Sequence, residues 1–417
     1  MKKASAPSLP AGRKETPAQC SEPQVVELNP KLELIQMLIP IALEHVEEVL
    51  QEEVIQLAGP RYSHDDDNRA CKRWGSQRGS IYLGEQKVPL MVPRVRDDQQ
   101  KVEIPLANYH HLQHPVAGDE KLFLKILDGL SCRKYKRTAK LIPEAFGLSR
   151  NTISRRFIRT SEKKLHDLLH RRLDDHEFVA LVLDGKTLGR AQMIVAMGIT
   201  KTGEKLILGF TESASENHRV CADFLKSLID RGLRYQQGLL VVMDGSKGFR
   251  KAIAEVFGDA ATVQRCQWHK RENIVAYLPK AQQAGMRQKL QHAYEQPTYD
   301  RAKHELLRLR AELKTINQSA VTSLEEGLEE TLTLHRLEVF KELGLSLKTT
   351  NSLESINSQI ERLTGKVTSW RNSNQRQRWL ASALLEIEPG LRKIKGYRYL
   401  PLLQQALQRE SPTSAVT

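Results

Sequence analysis

Two aspartates in this sequence each close a short apolar run, and each precedes a glycine. FVALVLD ends at Asp184 and GLLVVMD ends at Asp244. Two carboxylates at neighbouring strand ends repel each other and are costly to desolvate, so a purely structural role for the pair is disfavoured. A divalent cation removes that cost, and oxygen ligands suit Mg²⁺, with Mn²⁺ as a substitute. Because Asp-Gly is also a common turn dipeptide, either aspartate taken alone has a structural alternative.

A third carboxylate, Glu354, lies in the segment TTNSLESINSQIERL. Helical spacing puts Glu354 on a different face from the apolar residues of this segment, which are Leu353, Ile356, Ile360 and Leu363. Its side chain is therefore available for a site. The alternative is a capping box, in which Asn351 is the N-cap and Glu354 is its partner three residues on.

Cys266 and His269 form a Cys-x-x-His pair, which is half of a tetrahedral zinc site. No second pair of ligands follows at a plausible spacing. Two interpretations of His269 stay open, namely contact with a nucleic-acid phosphate and a packed, hydrogen-bonded ring. Trp268, between the two, is expected in the core rather than stacked on a base.

The elements that would position these residues begin after Asp175. Strands are predicted at 178–184, 191–201, 204–212, 238–244 and 261–266, with helices at about 218–232 and 246–257. The first three strands should form an antiparallel meander, and the fully apolar fourth strand should be central. This βββαβαβ order is the ribonuclease-H-like arrangement, in which the fourth strand lies beside the first. Asp184 and Asp244 would then be side by side.

The remaining segments give an α/β fold class, with a ribonuclease-H-like core interrupted by an all-helical insertion and preceded by a helical, DNA-binding region. The predicted boundaries are a disordered basic tail at 1–29, helices and a β-hairpin at 30–130, a helix-turn-helix region at 131–175, the first part of the core at 176–269, the helical insertion at 270–345, the rest of the core with the Glu354 helix at 346–388, and a C-terminal tail at 389–417.

The helix-turn-helix prediction rests on a basic segment with a turn at Gly147 and an N-cap at Ser149. Residues 131–172 contain 13 Lys and Arg against three acidic residues, a density expected of a surface that neutralises phosphates. The alternative is an ordinary basic surface helix. The predicted DNA-binding residues are Arg150, Asn151, Thr152, Ser154, Arg155, Arg156 and Arg159.

Nearer the N-terminus, the spacing of apolar residues from Leu32 predicts one or two helices that end at Gly59-Pro60. Alternating apolar and polar residues on both sides of 84–87 predict a β-hairpin. Five arginines surround this hairpin, and either a solvated sheet face or contact with a DNA backbone would account for them. They are Arg69, Arg73, Arg78, Arg94 and Arg96.

Composition limits the class of protein. The formal net charge of +14 indicates a polyanionic partner. No run approaches the roughly 18 to 20 apolar residues that span a bilayer, and the first residues lack an apolar export segment. Five scattered cysteines indicate reduced thiols, so we expect a cytoplasmic protein with no membrane partner.

These motifs together resemble the bacterial transposases of the Mutator type. The resemblance rests on Asp184 in LDGKTL, Asp244 in VVMDGSKGF, the CQWH of 266–269 and TTNSLESIN around Glu354. The blocks RYSHDDDNRACKRWGSQRGS, VPRVRD and GYRYLPLL add to it. The resemblance implies an Asp-Asp-Glu triad that binds Mg²⁺, with Asp184, Asp244 and Glu354 as catalytic residues and metal ligands. It also implies that Cys266 and His269 support the active site, so that no zinc is expected.

The same resemblance implies the partners and the reaction. The DNA would be an insertion sequence with terminal inverted repeats, bound with target DNA by a homo-oligomer, at least a dimer, that is associated with the bacterial nucleoid. Two-metal catalysis would cleave phosphodiesters and join the 3′-hydroxyl end to target DNA. The alternatives are a ribonuclease-H-like nuclease or resolvase that never joins DNA, and a catalytically silent DNA-binding regulator. Further contacts to the site or to phosphate are expected from Lys186, Lys247, Asn351, Asn357 and Arg362.

Overall fold

The computed structural model describes residues 30–62, 70–83, 86–113, 116–129, 150–213 and 217–410. The chain forms two compact units, one containing the described residues before His114 and the other those after it, apart from the hairpin tip at Gln86. Each unit is described by itself. No helix within these ranges is long and apolar enough to cross a membrane.

The first unit packs one long helix on a small antiparallel sheet. Helix α1 (Pro30–Ala58) is followed by strands β1 (Cys71–Leu83), β2 (Gln86–Asp97) and β3 (Glu103–Ile104) and by helix α2 (Ala107–Gln113). The sheet order is β1-β2-β3. A single helix therefore fills the region predicted as one or two, and the two long strands confirm the hairpin. The core of this unit contains Leu50, Val54, Ala58, Val92, Val95 and Leu106.

Three of the hairpin arginines have partners within the first unit. The Arg73 Nε donates to the Gly59 carbonyl at 3.0 Å. The Arg94 guanidinium pairs with Glu103 at 2.6 Å. The Arg96 guanidinium lies 4.5 Å from the ring centroid of Trp74. Arg78 is exposed, and Arg69 lies outside the described residues. These contacts favour the structural interpretation for Arg73, Arg94 and Arg96.

The second unit begins with helices α3 (Val116–Leu127) and α4 (Arg150–His170). Helix α4 is the predicted recognition helix, whereas the predicted preceding helix and turn, at 142–149, lie outside the described residues. The buried face of α4 packs within this unit. Phe157 lies 5.5 Å from Phe123 of α3 and 5.0 Å from Trp379, as measured between ring centroids.

A five-stranded mixed sheet forms the centre of the second unit. Its strands are β4 (Phe178–Leu188), β5 (Ala191–Thr200), β6 (Lys205–Ser213), β7 (Leu239–Met243) and β8 (Ala261–Arg265), in the order β6-β5-β4-β7-β8. Strands β4, β5 and β6 form an antiparallel meander, and β7 pairs in parallel with both β4 and β8. The return of the fourth strand to the side of the first is thus confirmed.

Two amphipathic helices connect the later strands along the chain and pack on the sheet. They are α5 (His218–Asp230) and α6 (Lys247–Phe257). Their apolar faces, including Phe224, Leu228, Phe249 and Ile253, share one buried cluster with residues of β4 and β7. Continuous apolar runs form the central strands because both faces of these strands are covered.

The segment after β8 is helical, as its leucine spacing predicts. It contains α7 (Gln267–Ala276), α8 (Lys280–Tyr294), α9 (Tyr299–Lys314), α10 (Gln318–Glu325), α11 (Leu328–Thr331), α12 (Thr333–Arg336) and α13 (Phe340–Leu347). Buried residues of this segment, from Ile274 to Leu332, form a cluster of their own. The insertion therefore has its own core.

The chain then returns to the sheet. Helix α14 (Asn351–Thr364) packs against β4 and is followed by α15 (Ser373–Ile387) and α16 (Leu400–Glu410). Helix α16 lies in the region predicted as a C-terminal tail, and it buries Leu400, Leu403 and Leu407. The cysteines that the structure describes, Cys71, Cys221 and Cys266, are free thiols.

Candidate active site

Asp184 and Asp244 occupy matching positions in the register of the parallel strands β4 and β7. In the β4–β7 register Val182 is opposite Val242, so both aspartates come two residues further along. Because side chains alternate along a strand, equal displacement puts both carboxylates on the same side of the sheet. The pairing predicted from the two LDG and MDG motifs therefore follows from the register.

Asp184 is only 7% exposed, and its surroundings oppose ionisation. Burial is the main reason that the pKa of Asp184 rises to about 7. His269 and the Gly185 N–H work against that rise, while the charges of Asp244 and Glu354 add to it. The charges of Asp244 and Glu354 thus act on Asp184, and the protein neighbours of Asp184 do not fully compensate its negative charge.

The loop after Asp244 is a tight turn that leads into α6. The Asp244 Oδ1 accepts from the Ser246 N–H at 3.0 Å, and Gly245 has φ +103°. Ser246 is the N-cap of α6, and its Oγ accepts from the Phe249 N–H at 3.4 Å. The turn therefore fixes one carboxylate oxygen of Asp244 and leaves the other for the site.

Glu354 lies in the first turn of α14, and the capping-box alternative is wrong. Thr350, not Asn351, is the N-cap residue, and no side-chain hydrogen bond caps this helix. The Glu354 Oε1 lies 3.9 Å from the His269 Nε2 and 3.5 Å from the Thr350 Oγ1. Glu354 therefore faces the Cys-x-x-His segment, and its charge adds to the rise in the pKa of Asp184.

Cys266 and His269 lie beside the carboxylates. The Cys266 N–H donates to the Met243 carbonyl at 2.7 Å, which ties the pair to the end of β7. Burial lowers the pKa of His269, but the hydrogen bond with Cys266 and the charges of Cys266, Asp184 and Glu354 raise it to about 9. Burial raises the pKa of the Cys266 thiol, and the hydrogen bond and charge of His269 lower it overall. The geometry favours a supporting role for this pair.

Thr350 contacts Glu354, Cys266 and His269, although the sequence pattern did not indicate a role for it. Its Oγ1 lies 3.6 Å from the Cys266 Sγ and 3.4 Å from the His269 Nδ1, in addition to its contact with Glu354. Thr350 is fully buried. The threonine pair before Asn351 was the available signal, although nothing in its spacing indicates contact with Cys266.

Asn357, one turn after Glu354, holds Asp184 directly. Its Nδ2 donates to the Asp184 Oδ2 at 3.0 Å, and its Oδ1 is buried without a hydrogen-bond partner among the described residues. Lys186 and Glu361 form a second link between β4 and α14 at 2.7 Å. Lys247 lies 3.6 Å from Glu326 of the helical segment after β8.

Trp268 is 40% exposed, so the expectation that it belongs to the core is wrong. The neighbouring Gln267 is anchored by its Nε2, which donates to the Thr331 carbonyl at 2.9 Å. The ring of Trp268 meets the His269 ring edge-on at 4.9 Å between centroids. The helix therefore holds Trp268 at the surface beside the site.

Within the described ranges, no three His, Cys, Asp or Glu side chains are already gathered closely enough to hold a metal ion. The oxygen donors nevertheless suit a hard divalent cation better than a soft one. A divalent cation would offset the cost of burying the Asp184 carboxylate, and it would give the Asn357 Oδ1 a partner. These two observations fit a cation between the carboxylates.

The predicted DNA-binding residues on α4 fall into different environments. Asn151, Arg155 and Arg159 are exposed at intervals of four residues, so they form one stripe. Ser154 is half-buried, and Arg156 is only 8% exposed. The side chains of Arg150 and Thr152 lie outside the described set. The exposed stripe, not Arg156, is the surface that a ligand can reach.

Comparison with known proteins identifies the family. The family model described as "Transposase, Mutator family" matches residues 18–389. The transposase for insertion sequence element ISRM5 of Rhizobium meliloti (strain 1021) is 28% identical over 352 residues, 82% of this chain and 85% of the relative. The transposase for insertion sequence element IS256 in transposon Tn4001 of Staphylococcus aureus is 25% identical over 338 residues, 77% and 82% of the two chains. The chain therefore belongs to the Mutator family of transposases.

Proposed function

We propose that this transposase binds the inverted repeats at the ends of an insertion sequence, cleaves phosphodiesters there and joins the freed 3′-hydroxyl to target DNA. The observation that carries the proposal is the level placement of Asp184 and Asp244 on paired strands, with Glu354 beside them. In a chain of this family, two carboxylates at matching positions on paired parallel strands, with a third on a helix that packs against one of those strands, are a natural place for phosphoryl chemistry.

The sheet supports a ribonuclease-H-like assignment of the catalytic core. The order β6-β5-β4-β7-β8, with an antiparallel meander followed by two parallel strands, is the arrangement expected of that fold. The helical insertion separates β8 from the helix that carries Glu354. The helix that carries Glu354 packs back against β4, the strand that carries Asp184, although the two elements are far apart in sequence.

Asp184, Asp244 and Glu354 would hold Mg²⁺, or Mn²⁺ in its place. Such a metal centre would supply activation of the attacking oxygen and stabilisation of the leaving one. Asn357 orients the Asp184 carboxylate through its amide N–H, and the Ser246 N–H orients that of Asp244. Thr350 and the Cys266–His269 pair fix the side on which Glu354 lies. The main contribution of the protein is thus to position the three carboxylates.

Helix α4 is the proposed reader of the inverted repeats. Its exposed stripe offers Asn151, Arg155 and Arg159, side chains that donate to base edges and phosphates. The net charge of +14 supports a polyanionic partner. The protein would act as a homo-oligomer that bridges two element ends, which light scattering of the protein with end duplexes would test.

The test of the catalytic proposal is cleavage and joining of a labelled element-end duplex, with supercoiled target DNA, in Mg²⁺ or EDTA. Wild type is compared with Asp184→Asn, Glu354→Gln and the control Glu386→Gln, which changes an exposed carboxylate on α15. We expect Mg²⁺-dependent joining in wild type and Glu386→Gln, and loss of both steps in the other two variants.

The other outcomes distinguish the alternatives. Cleavage without joined products would replace the transposase with a nuclease. Specific binding without either reaction would leave a regulator. Full activity in Glu354→Gln would remove Glu354 from the site.

A further inference from the structure

Arg265 is a buried arginine next to the proposed catalytic loop. It ends β8, opposite Met243, the residue before Asp244, and it is only 6% exposed. Burying a guanidinium group costs several kcal/mol unless its surroundings compensate for the lost hydration. Its position therefore needs an explanation beyond packing.

Two glycine turns hold the guanidinium between them. A Cβ on Gly245 would lie 2.0 Å from the Arg265 Nε, and a Cβ on Gly327 would lie 2.5 Å from its Nη1. Both glycines have positive φ, +103° and +68°. Neither turn accepts a side chain without displacing Arg265. One turn follows Asp244, and the other belongs to the helical insertion.

The insertion side of this contact is hydrogen-bonded. The Arg265 Nη1 donates to the Glu326 carbonyl at 2.9 Å, and Nη2 lies 3.6 Å from the Glu326 Oε2. The fully buried Lys270 reinforces the same turn, because its Nζ donates to the Ser323 carbonyl and lies 4.0 Å from the Glu326 Oε2. The turn at Glu326–Gly327 is therefore a fixed support rather than a loose surface loop.

On its other side, the Arg265 guanidinium lies against Gly245, which is joined to Asp244 by one peptide bond. Gly245 follows Asp244 directly, and the Asp244 carboxylate depends on the Ser246 N–H in that turn. Any shift of Gly245 toward the space of the guanidinium would move Asp244 and Ser246 together. The Arg265 side chain thus supports the turn that contains Gly245.

We propose that Arg265 is a positioning residue that transmits the position of the helical insertion to Asp244. The turn at Glu326–Gly327 holds the Arg265 guanidinium, and the guanidinium supports Gly245. The insertion thereby becomes part of the framework that positions the active site. The inference rests on the proposed role of Asp244 as a metal ligand.

The test uses the full chain and two measurements, Mn²⁺ binding to the DNA-free protein and the Mg²⁺ dependence of cleavage. In Arg265→Ala we expect Mn²⁺ affinity and cleavage rate to fall by about 10- to 100-fold, as for other residues that orient metal ligands. Arg265→Lys should recover only part, because an ammonium group lacks the planar fork. Binding of the DNA end should stay within about threefold of wild type.

Leu306→Ala is the control for instability. Leu306 is fully buried in the core of the insertion, so this change lowers stability but removes none of the side-chain contacts described for Arg265. Wild-type Mn²⁺ binding in Arg265→Ala would overturn the inference. So would equal losses in both variants at equal melting temperatures.

If Arg265→Ala does not fold, Gly327→Ala decides the question from the insertion side. Its control is Gly258→Ala, which places a Cβ at φ +55° where nothing lies within 4 Å. We expect weaker Mn²⁺ binding in Gly327→Ala and not in Gly258→Ala, and equal binding in the two would overturn the inference. A wild type that fails to cleave in Mg²⁺ would contradict the proposed function itself. An active wild type whose Mn²⁺ binding is unaffected by substitution of Arg265 would contradict only this inference.

Discussion

The side-chain amide of Asn357 donates to the Oδ2 of Asp184 at 3.0 Å, and it thereby links helix α14 to strand β4. The link spans the whole helical insertion in sequence. Because Asn357 lies one turn after Glu354, it sets the distance between the Glu354 helix and the strand that carries Asp184. The position of the third carboxylate therefore depends on a residue that is not itself charged.

Asn357→Ala should lower the apparent Mg²⁺ affinity in cleavage by about tenfold or more, since it releases one oxygen of a metal ligand. Asn357→Asp should be worse, because a further carboxylate beside Asp184 raises the pKa of Asp184. The control is Ser358→Ala, whose hydroxyl donates to the Glu354 carbonyl in the backbone of its own helix. Unchanged Mg²⁺ dependence in both Asn357 variants would exclude this role.

Asp184→Asn should stabilise the metal-free protein at pH 8 while abolishing catalysis. The pKa of Asp184 in the folded protein, about 7, exceeds the ordinary value of 3.8, so the folded state holds this proton more tightly than the unfolded chain. The resulting stability is present in acid and is lost as the pH rises through 7.

The gain from Asp184→Asn should be roughly 1 to 4 kcal/mol at pH 8 in EDTA, and smaller at pH 5. Urea unfolding followed by circular dichroism measures it. Added Mg²⁺ should stabilise wild type and not the variant. A variant that is less stable than wild type at pH 8 would show that the Asp184 charge is already well compensated.

The central strands and both aspartates could be predicted from the sequence, because a buried strand needs a continuous apolar run and Asp184 and Asp244 each end one. Glu354 could not be fixed from its residues alone, since a capping box has the same spacing. The roles of Thr350 and Arg265 depend on how the insertion folds back onto β8, and local patterns carry no information on such long-range contacts. The exposure of Trp268 was missed for the same reason.

Arg155 and Arg156 should respond differently to replacement by alanine, although they are neighbours on α4. Arg155 is exposed, so Arg155→Ala should weaken DNA binding and reduce the slope of log affinity against log salt by about one unit. Arg156 is 8% exposed, so Arg156→Ala should mainly lower the melting temperature. Fluorescence anisotropy at several salt concentrations, together with thermal unfolding, separates the two effects. Equal salt slopes for wild type and Arg155→Ala would remove Arg155 from the DNA interface.

His335 should make the helical insertion sensitive to acid. Its ring is 3% exposed, stacks on Phe340 at 3.6 Å between centroids, and donates through Nε2 to the Gln296 carbonyl at 3.0 Å. Burial lowers the pKa of His335 to about 4. Since the folded state disfavours the charged ring, stability is retained above the ordinary value of 6.5 and falls as the pH drops toward 4.

The expected loss from His335 between pH 7 and pH 4 is at most about 3 kcal/mol, and it should be absent in His335→Gln, which does not titrate. Urea unfolding at pH 7 and pH 5 compares wild type with this variant and with His292→Gln, which changes an exposed histidine of the same insertion. Wild type and His292→Gln should lose stability in parallel on acidification, and His335→Gln should lose less. If all three lose the same amount, other groups cause the acid sensitivity, because only His335→Gln removes the buried imidazole.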